Sequence, residues 1–181
     1  MTGMTWLHLS DWHQKDNEFD RKVVRDALLD DILARKNVSP DLEDIDFIVF
    51  SGDVAFSGQQ AEYERAIKEL FDPILDACGL HQKRLFIVPG NHDMDRNSIK
   101  ALPIELQKPP TQKEQSRYND WLIDDSKRSC LMGPFHSFAT FVKEYTGQVQ
   151  PDYASICEWN IRVKKVALLG LNSNMLNIVW I

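Results

Sequence analysis

An α/β domain, a parallel sheet with covering helices, is the fold this sequence predicts, on three observations. Short apolar runs alternate with longer segments of helical period through the first half of the chain. The first three apolar runs each end directly in a polar cluster, as strands of an open parallel sheet do at a ligand-binding edge. The 181 residues hold 43% hydrophobic and 27% charged side chains, the balance of one globular domain with a sizeable core.

Trp6 to Leu9 reads as the first strand. Asp20 to Lys36 follows as a helix with Val23, Val24, Ala27, Leu28, Ile32 and Leu33 at helical spacing. Ile45 to Phe50 is the second strand. Ser57 and Gln60 form a capping box for a second helix whose core face is Tyr63, Ile67, Leu70, Phe71 and Ile74, and Gly79 stops it. Leu85 to Val88 is the third strand, closed by Pro89-Gly90. From Met94 to about residue 150 the pattern changes to a helical region inserted into the domain, with one helix near Glu114 to Ile123 and another carrying Phe135, Phe138, Phe141 and Val142. Ile156 to Asn160 and Val163 to Leu171 form a strand pair. The chain ends on Ile178, Val179, Trp180 and Ile181, an apolar close where domains usually fray into polar residues, so the domain is expected to be truncated at this end.

A net charge of −6 argues against a basic-patch nucleic-acid binder, although an acidic protein can grip phosphate through bound cations. Cys78, Cys130 and Cys157 follow no metal-finger or redox spacing and read as buried thiols of a reducing compartment. The start lacks a secretory pattern and no apolar run is long enough to span a bilayer, so a cytoplasmic protein without membrane partners is expected.

The three strand ends offer Ser10-Asp11-Trp12-His13, Ser51-Gly52-Asp53 and Gly90-Asn91-His92-Asp93. In a parallel sheet, side chains just past the carboxyl ends converge on one crevice. Carboxylates, an amide oxygen and imidazoles make a donor set suited to manganese, iron or zinc. Asp53 has two oxygens and can bridge two ions, with Asp11 and His13 on one and Asn91 on the other. Two ions about 3.5–4 Å apart can clamp a phosphate and activate a water for in-line attack. Gly52 and Gly90 precede two of these ligands, where a missing Cβ allows close approach. His92 can protonate a leaving alkoxide, with Asp93 beside it holding the ring in orientation. Any one of these clusters alone is a common cap or turn; the informative feature is Gly-Asn-His-Asp after an apolar strand, with the other two in order.

Those three runs, in this order and at these separations, resemble the first motifs of the calcineurin-like metallophosphoesterases. The resemblance implies metal ligands at Asp11, His13, Asp53 and Asn91, with Asp53 bridging, and an acid at His92; Asp93 is given a supporting catalytic role. It implies a layered β-sandwich flanked by helices, two divalent ions (Mn2+, with Fe or Zn as alternatives), and hydrolysis of phosphate esters. It spans residues 4 to 93 and extends more weakly to Val166 through Ser173. The family completes its centre with a later strand-end histidine and a Gly-His-x-His turn, so residues 1–181 are expected to be the N-terminal portion of the domain, able to self-associate or to need a further segment.

The run Gly52 to Gly58 followed by Glu62-Tyr63 resembles the cyclic-nucleotide phosphodiesterase branch, which favours a nucleotide or another small phosphodiester as substrate. The alternative is an SbcD-like DNA nuclease, whose first motif also resembles Ser10 to His13. Against it stand Gln14-Lys15 and Val54-Ala55 and the acidic balance. A third reading is a catalytically incomplete fragment or module. His8, His81 and His136 are expected to be structural, and the phenylalanine stripe to face a core. The inserted stretch with Lys100, Lys108 and Lys113 reads equally as a lid contacting phosphate and as a variable loop.

Overall fold

The computed structural model describes residues 3–13, 18–104, 111, 113–149 and 154–176. Three short strands, β1 (Trp6–Leu9), β2 (Phe47–Phe50) and β3 (Leu85–Ile87), pair in parallel in the order β1-β2-β3. The register sets Leu9 beside Phe50 and Phe50 beside Ile87, so all three chains leave the sheet at the same edge.

Alternation divides the side chains of this sheet between two faces. Leu7, Leu9, Ile48, Phe50, Leu85 and Ile87 join one core with residues from the helices. Helix α1 (Glu18–Val38) contributes Leu28, Leu29 and Ile32 to it. Val23, Val24 and Leu33, expected on that face, are more than half exposed, because the stripe that meets the sheet runs one position round the helix. The next helical stretch supplies Tyr63, Leu70, Phe71, Ile74 and Leu75. It comprises α2 (Gln60–Ala66), a π-helical turn over Ile67–Phe71, and α3 (Asp72–Cys78). Pro73 has no N–H to donate to the preceding turn, which favours this local widening, and the Asp72 amide reaches back to the Ile67 carbonyl. The capping box is Gln59 with Glu62, two residues from the expected Ser57-Gln60 pair. Gly79, at φ 68°, ends α3 as expected.

The region after Met94 holds α4 (Arg96–Ile99), α5 (Gln115–Ile123), α6 (Asp125–Met132) and α7 (His136–Thr146). Phe138, Phe141, Val142 and Tyr145 carry α7 into the main core, where Phe141 stacks on Tyr63 at 4.9 Å. Met94, Leu102, Tyr118, Leu131 and Phe135 form a second, smaller core. Helix α6 has no counterpart in the apolar pattern; its sequence signal is Asp124, whose side chain accepts the Lys127 amide at the helix start.

The second sheet is an antiparallel hairpin of β4 (Ala154–Ile161) and β5 (Lys164–Leu171). It lies against the other face of the parallel sheet. Trp159 meets Phe47 at 5.2 Å, and a Cβ on Gly170 would come within 2.1 Å of Val88 Cγ1. Glycine at this point lets one β layer settle on the other, giving the expected sandwich of sheets with helices outside. Ile156, Leu169 and Leu171 on the hairpin's outer face are exposed. Among the described residues no helix is long and apolar enough to cross a membrane. The terminal run Ile178 to Ile181 and Lys108 lie outside the described residues.

Candidate metal centre

The loops after β1 and β2 continue side by side beyond the sheet. The Ser51 amide donates to the Leu9 carbonyl at 2.9 Å, the Asp11 amide to Gly52 at 3.0 Å, and the His13 amide to Asp53 at 3.0 Å. Asp11 and Asp53 both adopt left-handed backbone, at φ 61° and 60°. Short polar residues tolerate this conformation best, and a non-glycine residue held there is a common mark of a functional turn. Both carboxylates approach the His13 ring: His13 Nε2 is 3.7 Å from Asp11 Oδ1 and 3.7 Å from Asp53 Oδ2.

That separation is too long for a hydrogen bond. It suits donors sharing one ion, since two atoms each about 2.0–2.2 Å from a metal stand roughly 3–4 Å apart. One donor atom each from His13, Asp53 and His92 also lies within 4.8 Å of the other two. The donors that lie close enough together to share a divalent cation are therefore His13, Asp53 and His92, and Asp11 reaches the His13 ring from the open side. Asp53 is largely enclosed and Asp11 is open, so the centre has a buried side and a solvent side.

The third loop is locked against the second. A Cβ on Gly90 would lie 2.0 Å from Asp53 Oδ1, so only glycine lets the chain pass. Gly52 similarly faces the Gly90 backbone. The His92 amide donates to Asp53 Oδ1 at 2.9 Å, leaving Oδ2 toward His13. The imidazoles of His13 and His92 stack at 4.2 Å. Asn91 is exposed on the loop between Gly90 and His92.

His92 and Asp93 part company in space. His92 Nδ1 lies 2.9 Å from the Phe56 carbonyl, an acceptor, so Nδ1 carries the proton and Nε2 is the free nitrogen. The Phe56 carbonyl orients this ring, in place of the expected Asp93 carboxylate. Asp93 instead points into the protein and is fully buried. Its Oδ2 accepts the amides of Asp53, Val54 and Gly90, and its Oδ1 accepts that of Ala55. The physical reason is the demand of four backbone donors in two tight turns, two of them buried and two partly so, which a carboxylate satisfies at once. Burial pushes the Asp93 carboxyl up to about 6 against the pull of these amides, with the Asp53 charge adding to the rise. Tyr63 donates to the Asp93 carbonyl, and burial raises its phenol.

Glu62 ties the second loop down. Its carboxylate accepts from Phe56 N, Ser57 N, Ser57 Oγ and Gln59 N. Phe56 also packs its ring 5.2 Å from His92, and Arg96 lies over that ring at 5.9 Å. The spacing of the motifs gave no signal for Phe56, whose part is played by a backbone carbonyl. Of the histidines expected to be structural, His8 is exposed and bonds Ser51 Oγ at 2.8 Å, while His81 Nδ1 accepts the Lys83 amide in a short turn. Cys78 and Cys157 are buried thiols, whereas Cys130 is exposed.

The family model of the calcineurin-like phosphoesterases matches residues 4–158. The chain belongs to the calcineurin-like phosphoesterase family. Within that family it is 30% identical over 148 residues to the metallophosphoesterase-like protein YydB of Bacillus subtilis, a match that covers 81% of this chain and 29% of YydB. It is 33% identical over 92 residues to a subunit of the nuclease SbcCD of Escherichia coli, covering 50% of this chain and 21% of that nuclease subunit. The chain thus spans less than a third of the length of these relatives.

Proposed function

We propose that the intact protein to which this calcineurin-like phosphoesterase chain belongs hydrolyses phosphodiesters in a metal-dependent reaction, with a nucleotide or another small diester as substrate. The observation that carries this reading is the convergence of His13 with Asp11 and Asp53 at 3.7 Å beside the Nε2 face of His92. Asp11, His13 and Asp53 would hold one divalent ion, manganese in the first instance, and Asp53 and Asn91 would reach a second. Such ions supply Lewis acidity toward the phosphoryl oxygens and lower the pKa of water at the site.

The protein's own contribution is positional. Asp53 is fixed through its Oδ1 by the His92 amide, so Oδ2 keeps one direction. His92, with Nδ1 bonded to Phe56, presents Nε2 outward, and in the protonated ring that nitrogen can give its proton to the leaving oxygen. The same reading treats residues 1–181 as the N-terminal portion of the domain, with the helices of residues 94–150 inserted, in a cytoplasmic protein.

Manganese-dependent hydrolysis of a chromogenic phosphodiester tests the proposal, with Asp53→Ala as control. Turnover by the unaltered chain that is lost in Asp53→Ala would place the reaction at this centre, completed from within these residues or by a second copy. No turnover in either would mean that a further segment completes it. Equal activity in both would assign the turnover to something other than this centre. A second reading, a DNA nuclease, is favoured by the match to the SbcCD nuclease. Manganese-dependent degradation of linear duplex DNA, faster than that of the small ester and lost in Asp53→Ala, would select it.

A further inference from the structure

Two arginine side chains line one cleft beside His13. Arg21, near the start of α1, and Arg65, in the last turn of α2, line a cleft whose wall also holds His13, Phe56 and Glu62. Like charges lining one cleft repel unless an anion lies between them. Glu62 offsets one of the two charges at most, and its oxygens are already engaged by Phe56, Ser57 and Gln59. Among the described residues neither arginine is ion-paired, and Arg21 Nε is buried without a hydrogen-bond partner. A buried donor left unmade costs about 1–3 kcal/mol. In a chain of net charge −6, two arginines with no ion pair among the described residues, lining one cleft with His13, are an arrangement that an incoming anion completes.

We propose that Arg21 and Arg65 form an anion subsite adjoining the metal centre, which holds a second phosphate of the substrate while the scissile ester lies at His13, Asp53 and His92. The proposal rests on the phosphoesterase reading above and narrows it. The substrate class becomes a phosphodiester with a neighbouring phosphate, carried either as a terminal monoester or as the next linkage of a short oligonucleotide. The guanidinium fork matches phosphate oxygens geometrically as well as by charge. Because this phosphate takes no part in bond cleavage, the arginines act through KM, leaving kcat in place.

The test compares the 181-residue chain with Arg65→Gln and Arg21→Gln, and with Lys36→Gln as an equal charge change at an exposed position in the last turn of α1. The substrates are the dinucleotide TpT, its 5′-phosphorylated form pTpT, the trinucleotide TpTpT, and bis(p-nitrophenyl) phosphate. Loss of a charge-assisted contact should raise KM about 10-fold or more for a substrate with a second phosphate. Values for TpT and the chromogenic ester should stay unchanged, as should all values in Lys36→Gln. A rise confined to pTpT assigns the terminal phosphate, and one confined to TpTpT assigns the linkage. Unchanged KM for both, or an equal rise for every substrate, overturns the subsite.

Calorimetric titration of the metal-free protein with pyrophosphate gives a readout independent of turnover. Binding should weaken about 10-fold in the arginine variants but not in Lys36→Gln. A chain that cleaves no ester yet shows this difference keeps the subsite and loses the activity reading. One that cleaves esters with no difference in either measurement does the reverse. Arg65 is exposed, so its substitution carries the test where Arg21→Gln fails to fold.

Discussion

At the scale of single residues, His92 has two separable duties. Its amide fixes Asp53 and its ring presents Nε2 to the centre. Replacing the ring with glutamine keeps the amide and removes the proton donor. His92→Gln should therefore lower kcat by about 10²–10⁴-fold, the usual worth of a positioned acid. Manganese affinity, measured by titration calorimetry, should change little. A parallel collapse of affinity would make His92 a ligand, a role its closeness to the His13 and Asp53 donors also permits. The sequence named all of these residues because carboxylates and imidazoles at successive strand ends leave a spaced pattern. The backbone carbonyl of Phe56 left none, since any residue offers one. Asp93 was legible as a residue of the motif but not in its direction, which is set by four amides that become neighbours only after β2 and β3 pair.

At the scale of elements, that carboxylate joins the turn after β2 to the turn after β3. Asp93→Asn keeps the shape but puts an NH2 group where an acceptor is needed, at a cost of about 1–3 kcal/mol. Urea unfolding of the metal-free variant should show this loss. Because burial raises the folded carboxyl to about 6, the folded state binds the proton more tightly than the unfolded chain does. The carboxyl's contribution is then fully present below about pH 4 and is lost as pH rises through about 6. The gap between native and Asp93→Asn midpoints should accordingly narrow over that window, and a constant gap would show that Asp93 keeps its ordinary titration in the fold. The strands and α1 were readable because burial on one face imposes a period. The π-helical turn and α6 were not, one arising from a missing N–H at Pro73 and the other lacking an apolar stripe.

At the scale of the whole molecule, a helix layer, a parallel sheet and a hairpin are stacked, and the last contact depends on Gly170. Gly170→Ala would drive a methyl group to 2.1 Å from Val88 Cγ1 and 3.0 Å from the Phe86 ring. Overpacking of this kind costs about 1–3 kcal/mol. A lowered unfolding midpoint should result, with Arg84, which reaches the Asn160 carbonyl, and Arg162, paired with Asp46, resisting the separation of hairpin and sheet. An unchanged midpoint would mean that the layers slide freely. The sandwich was expected through family resemblance, since the alternating pattern of β4 and β5 identifies two strands but not the surface they rest on. The helices after Met94 were expected as an insertion. The packing of α7 in the main core makes part of that region structural for the sheet.

The buried Asp93 carboxylate also bears on how such a site can be rebuilt. A designer wishing to alter substrate choice would naturally exchange the loop after β2, which carries Phe56 beside the metal cluster. That loop's amides at residues 53, 54 and 55 are anchored on a side chain belonging to the other loop. A graft that brings one loop without the other leaves either a buried carboxyl or a set of buried amides without its counterpart. The two loops are thus one transferable part, and libraries that vary them together should yield far more folded members than libraries that vary either alone.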